Sequence, residues 1–221
     1  MPVLTENGPG WRELPAGREF TPDFHRVREQ IFGRIEAYYD RDHLTRAGDW
    51  VFHLDPAAPE ALVIAALTHD LERSVPGGPF LDKANTPWDD EAYNRAHCDR
   101  SAEIVPAWLR EIGAPEEYVT GVVQPIREHE FGGSPLGDVM QAADSISFLE
   151  QNGDLVTAWY VRGDCTQAKS QEKLDWMRER IRLERARPLA RPPYDAASEM
   201  LRAVAAGERE APADPGGAPG A

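Results

Sequence analysis

The chain has 221 residues, 41% of them hydrophobic and 28% charged, with a formal net charge of −14. That length and apolar share fit one good-sized core, and the acidity argues against a nucleic-acid polymer as partner, because polyanion binding relies on a basic footprint. Two cysteines, Cys98 and Cys165, lie far apart and form no Cys-x-x-Cys pair, which excludes a disulfide framework and a thiolate zinc site.

No apolar run approaches the roughly 18 residues of a membrane-spanning helix. The first residues lack the basic-then-apolar order of a secretory signal, so a cytoplasmic location is expected. Residues 1–21 and 203–221 are rich in Gly and Pro and are expected to be flexible, leaving 22–202 as the folded domain.

Within that domain the periodicity is helical. Phe24, Val27, Ile31, Ile35 and Tyr38 recur at spacings of three and four, predicting an amphipathic first helix that leads toward His43. Ala61 to Leu67 is apolar almost all round, which predicts a buried helix ending at His69-Asp70. Pro76, Gly77, Gly78, Pro79 and Pro87 then mark a loop long enough to serve as a lid or substrate loop.

A helix from Asp89 to Ile112 carries His97 and stops at Gly113, with Pro106 expected to kink or split it. Pro115-Glu116-Glu117 opens the next, which buries Val119, Val122, Val123 and Ile126, bends at Pro125 and delivers His129. Val139 to Leu149 brings in Asp144. A charged helix from Thr166 to Ala186, with Leu174, Met177 and Ile181 as its core stripe, and a short one from Ala196 to Ala205 close the domain. No internal repeat and no convincing strand is visible, so the fold class is all-α.

Four of the six histidines and two aspartates stand in the order His43, His69-Asp70, His97, His129, Asp144. An aspartate at the end of a buried helix is costly without a cation or a donor, and a metal ion is the natural compensator. A carboxylate has two oxygens and can serve two cations at once, which an imidazole cannot. Mixed imidazole and carboxylate ligation suits Fe, Mn, Zn or Co without choosing among them.

This ordered series resembles the HD superfamily, specifically its branch that binds two metal ions, over about residues 38 to 150. The stretch Met140 to Leu149 resembles the helix supplying that family's last aspartate. The resemblance implies an HD-type helical bundle with two divalent metal ions. Asp70 would bridge them, His43, His69 and Asp144 would complete one, and His97 and His129 the other.

Most members are similar to metal-dependent phosphohydrolases, so the implied activity is hydrolysis of a small phosphate ester or nucleotide, with a small anionic molecule as partner. Cations in such sites activate water and absorb charge on phosphoryl oxygens. A minority are diiron oxygenases that share the ligand series and cleave a phosphonate or a polyol. A non-catalytic HD binding module is the third reading. Oligomeric state and substrate identity are not legible.

Beside Asp70, the candidates for catalysis are Arg73 and Glu72. Arg73 is expected either to contact a phosphate bidentately or to pair with Glu72 or Asp82 at the surface; Glu72 is expected either to orient a water or to be solvated. Oxygenase relatives place acidic and aromatic residues near the first histidine, as Glu36, Tyr38 and Tyr39 stand here. The plainer reading keeps Tyr38 in the apolar stripe and Glu36 in solvent. Lys169, Lys173 and Arg180 could line an anionic pocket, but Glu172, Glu179 and Glu184 favour ion pairs along the helix. Trp88 and Tyr93 are expected in the core, His25 and His53 in structural or surface roles.

Overall fold

Helical periodicity dominates the chain, and helices are what form. The computed structural model describes residue 14 and residues 17–213. Its helices are α1 (Pro22–Ile35), α2 (Arg41–Leu54), α3 (Glu60–Thr68), α4 (Glu91–Glu111), α5 (Glu116–Gly121), α6 (Val123–Glu128), α7 (Pro135–Gln151), α8 (Gly153–Arg162), α9 (Gln167–Glu179) and α10 (Arg187–Ala205). Among the described residues there is no strand, so the all-α expectation holds, and no helix is long and apolar enough to cross a membrane.

The centre of the bundle is α7, buried from Val139 to Leu149 without interruption. Ser134 caps it by accepting from the Gly137 N–H, and Pro135 occupies the first turn, where its missing donor costs nothing. Helices α2, α3, α6, α9 and α10 pack around α7. The continuously apolar α3 buries Leu62 through Thr68. It approaches α2 closely because position 48 is glycine: a Cβ there would lie 3.0 Å from Leu67 Cδ2.

Several boundaries differ from expectation. The apolar stripe of α1 is buried as read, but α1 ends at Ile35 and Tyr38 sits in a turn, so His43 belongs to a separate helix, α2, with its own buried face of Leu44, Ala47, Trp50 and Val51. Helix α4 runs unbroken through Pro106: one missing donor does not outweigh the packing of a 21-residue helix. Between α5 and α6 the effect is stronger. Pro125 has no N–H for the Gly121 carbonyl, and the chain breaks at Val122 into two six-residue helices.

Helix α9 stops at Glu179 and not at Ala186, so Ile181 is buried from an irregular segment. Conversely α10 begins at Arg187 and carries Pro192 and Pro193 inside it. Helix α8, with Leu155, Val156, Ala158 and Trp159 buried, is absent from the pattern reading and ends at Gly163, whose φ of 79° suits glycine.

The flexible-tail expectation for 1–21 falls largely on residues outside those described; of 203–221, residues 203–205 belong to α10 and only 214–221 lie outside. Arg18 nevertheless donates to the carbonyls of Pro56 and Ala58, and Phe20 stacks on Phe24 at 4.9 Å, so the end of the first segment lies against the domain.

Candidate metal centre

Five elements bring the six sequence candidates together. His43 comes from the first turn of α2, His69 and Asp70 from the end of α3, His97 from the middle of α4, His129 from the end of α6 and Asp144 from α7. All six are buried.

Each ring is held from behind by one acceptor at Nδ1. His69 Nδ1 donates to the Ala66 carbonyl at 2.9 Å, His129 Nδ1 to the Ile126 carbonyl at 2.6 Å, and His97 Nδ1 to Glu72 Oε1 at 2.6 Å. His43 Nδ1 meets Ser147 Oγ at 3.0 Å; that hydroxyl spends its own proton on the His43 carbonyl and so accepts from the ring. With Nδ1 engaged behind each ring, all four histidines turn Nε2 to one common centre, the atom through which each could ligate a metal.

The carboxylates complete two groups. Asp70 Oδ1 lies 2.9 Å from His97 Nε2, 3.9 Å from His69 Nε2 and 4.0 Å from His129 Nε2. Asp144 Oδ1 lies 3.2 Å from His43 Nε2 and 3.4 Å from His69 Nε2. The groups His43/His69/Asp70 and Asp70/His97/His129 each have ligand atoms close enough to hold an ion, and Asp70 belongs to both. The second oxygen of each carboxylate turns to an arginine: Asp70 Oδ2 accepts from Arg73 Nε at 3.0 Å, and Asp144 Oδ2 from Arg180 Nη2.

Two observations fit metal ions to this set. His69 Nε2 is buried without a hydrogen-bond partner, a costly state that a cation relieves. His97 Nε2 and His129 Nε2 lie 3.1 Å apart, both turned toward Asp70 Oδ1, which gathers two nitrogen donors and a carboxylate oxygen around one point.

Charge points the same way. Burial lowers His69, but Asp70 and Asp144 overcome it and lift the ring to about 9. Burial raises Asp70, yet Arg73, His69 and His97 hold it well below its ordinary value. Burial pushes His129 well below the ordinary histidine range, and His69 and His97 reinforce the shift. The centre thus attracts positive charge while one of its rings resists a proton, a combination that suits a metal ion.

The remaining candidates divide. Arg73 does not pair with Asp82 at the surface; it holds Asp70 and Tyr93, the latter at 2.9 Å, and approaches His97 Nε2 at 3.3 Å. Glu72 is not solvated. It is buried behind His97 with Arg100 Nη1 at 2.7 Å, and although burial raises it, the His97 hydrogen bond keeps its carboxyl below the usual value. It links His97 to Arg100.

Glu36 is exposed and ion-paired with Arg41, away from the centre. Tyr38 is buried, donating to the Asp70 carbonyl at 3.3 Å, while Tyr39 lines the cavity described below. Trp88 is buried, with its indole donating to the Lys169 carbonyl. Lys169 forms the expected ion pair with Glu172; Lys173 and Arg180 do not follow that pattern.

Sequence alone passed over Glu130 and Asp40, and it assigned Lys173 and Arg180 to ordinary ion pairs along a helix. Glu130 lies 3.8 Å from His129 Nε2 and shares Arg180 with Asp144. Arg180 also donates to Ser145 Oγ at 2.8 Å. Asp40 accepts from Asn152 at 2.9 Å at the cavity edge, where burial raises its carboxyl. Lys173 reaches in from α9. A Glu directly after a candidate ligand was the one available sequence signal, for Glu130; the others depend on tertiary placement.

Above the centre opens a cavity of about 840 Å³, walled by the loop from Val75 to Lys83 and by Tyr39, Arg73, Trp88, Trp159 and Lys173. Its floor includes His43, Asp70, His129 and Asp144. Phe80, 70% exposed, stands on the loop.

No protein-family model matches the chain, no curated protein matches it, and no solved structure matches it. The site has to speak through its own chemistry.

Proposed function

We propose that this protein is a metal-dependent phosphohydrolase of the HD type, acting on a small anionic phosphate ester or nucleotide. The observation that carries the reading is Asp70, which belongs to two histidine groups at the floor of a cavity large enough for such a molecule. His43, His69 and Asp144 would hold one ion with Asp70, and His97 with His129 the other.

The bound ions would supply Lewis acidity toward a phosphoryl oxygen and a water of lowered pKa. The chain's own residues do the rest. Arg73 holds Asp70 in place and faces the cavity, where its guanidinium can meet a phosphoryl oxygen. Arg180 fixes Asp144 and Glu130 together, keeping Asp144 Oδ1 turned to the imidazoles. Glu72 holds His97 through Nδ1, and the loop from Val75 to Lys83 forms one wall of the cavity.

A diiron oxygenase is the second reading, favoured by Tyr39, an aromatic residue that lines the cavity in the stretch preceding His43. Two measurements separate them: metal content of protein purified without added metal, and release of phosphate from a phosphate-ester panel with and without oxygen. A hydrolase releases phosphate with Mn or Co and does so anaerobically. Turnover that requires both iron and dioxygen reverses the assignment, and a chain that binds no metal removes both readings.

A further inference from the structure

The cavity wall carries two lysines that the metal centre does not use. Most acids on that wall already have a cationic partner: Asp70 with Arg73, Asp144 and Glu130 with Arg180, Glu72 with Arg100, Asp164 with Arg162. Lys83 and Lys173 line the same cavity, and among the described residues neither forms an ion pair.

Aromatic rings surround them instead. The Lys173 ammonium lies 4.3 Å from the Trp176 ring, 4.8 Å from Phe148 and 5.3 Å from Trp88; the Lys83 ammonium lies 5.5 Å from Trp159. Trp88 and Trp159 are stacked on each other, centroids 5.7 Å apart and 18° between planes. One stacked pair thus bears a lysine on each of its rings. Ring faces attract an ammonium but leave its unit charge uncancelled. Burial makes that charge costly and presses Lys173 down to about 7, so a cation in this setting gains most from an anion entering the cavity.

The position relative to the metal centre is defined by α7. Phe148 follows Asp144 by one helical turn, roughly 6 Å along the axis. Its ring stands 6.1 Å from that of His43. Lys173, packed on Phe148, therefore adjoins the His43/Asp144 end of the centre.

We infer that Lys83 and Lys173 form a seat for a second anionic group of the substrate, so that the preferred substrate carries two adjacent phosphoryl groups, one at the metal centre and one at the lysines. The inference rests on the phosphohydrolase reading for the first group only. The lysine seat itself is read by binding, independently of turnover.

The test compares orthophosphate with imidodiphosphate, a non-hydrolysable pair of adjacent phosphoryl groups, by calorimetric titration of the full chain after its metal content has been measured. The wild type is expected to prefer imidodiphosphate by at least about tenfold. Lys173→Met should cut that preference several-fold and the Lys83→Met/Lys173→Met double variant should remove it, with orthophosphate affinity, metal content and helicity unchanged. Arg191→Gln, which removes a positive charge on exposed α10, controls for net charge and should keep the preference.

A wild type that does not discriminate, or a double variant that still does, overturns the seat. If the chain neither loads metal nor hydrolyses phosphate esters yet shows lysine-dependent imidodiphosphate binding, the proposed function fails and the seat stands.

Discussion

At one end of the centre, His43 and His69 lean on neutral acceptors, the Ser147 hydroxyl and the Ala66 carbonyl, supplied by the packing of α2 and α3 against α7. At the other, His129 also leans on a carbonyl, that of Ile126, but His97 leans on a carboxylate, Glu72, which is itself pinned by Arg100. The first end inherits its geometry from the core, so it moves only if helices move. The second depends on a chain of charges reaching out to a loop, where a single side-chain change can loosen a ligand while the fold stands. Asp70 belongs to both ends and should be the point where this distinction disappears.

The largest effect is therefore expected at Asp70. Asp70→Ala removes the shared oxygen and leaves Arg73 without its partner; metal analysis should show both ions lost and activity gone. Retention of one ion at full occupancy would mean that Asp70 serves a single end.

Glu72→Ala should expose the asymmetry. Removing the acceptor behind a ligating histidine typically costs 10–100-fold in metal affinity. Competitive chelator titration should show one ion weakened by about that factor and the other retained. Ser147→Ala makes the corresponding change at the neutral end. A hydroxyl acceptor is weaker than a carboxylate, so its cost should be smaller, and equal losses in the two variants would erase the proposed difference.

A stability effect outside the centre comes next. Burial pushes Asp49, on α2, up to about 7, against the lowering pull of Arg46 and Arg28. The folded chain then binds a proton more tightly than the unfolded one, so this contribution to stability is present at low pH and is lost as pH rises toward 7. Asp49→Asn removes the titration. Its melting temperature should exceed wild type by about 2–4 °C at pH 8 and show little advantage at pH 5.

The smallest effect is expected at His53, which lies one helical turn past Asp49 and stacks edge-on to Trp50 at 5.1 Å. His53→Ala should leave metal content unchanged, and a loss there would mean that the ligands are misassigned.

The convergence of the six His and Asp residues was legible because order and spacing survive folding. His69-Asp70 follows an uninterrupted apolar run, and Asp144 sits in a segment buried on every side, so both read directly from the chain. Helix identity was legible for the same reason: Phe24, Val27, Ile31 and Ile35 repeat at helical spacing. What stayed hidden was everything decided by long side chains at a distance. Lys173 and Arg180 sit among local acids that promise ordinary ion pairs, yet α9 ends at Glu179 and sends Arg180 to Asp144 instead. Glu72 looked like a surface residue because nothing local reveals that Arg100, 28 residues on, encloses it. Helix α8 was missed because Gly153 and Asp154 open it without a capping signal: Asn152 gives its side chain to Asp40.

The four Nδ1 acceptors have a kinetic consequence. Each ring is held in one orientation before any ion arrives, so loading would need no refolding step and its rate should rise linearly with free metal until dehydration of the ion limits it. The same rigidity means that ions can be exchanged in place. A chain expressed in one metal and transferred to another would keep its fold throughout, and occupancy would then follow the metals around it.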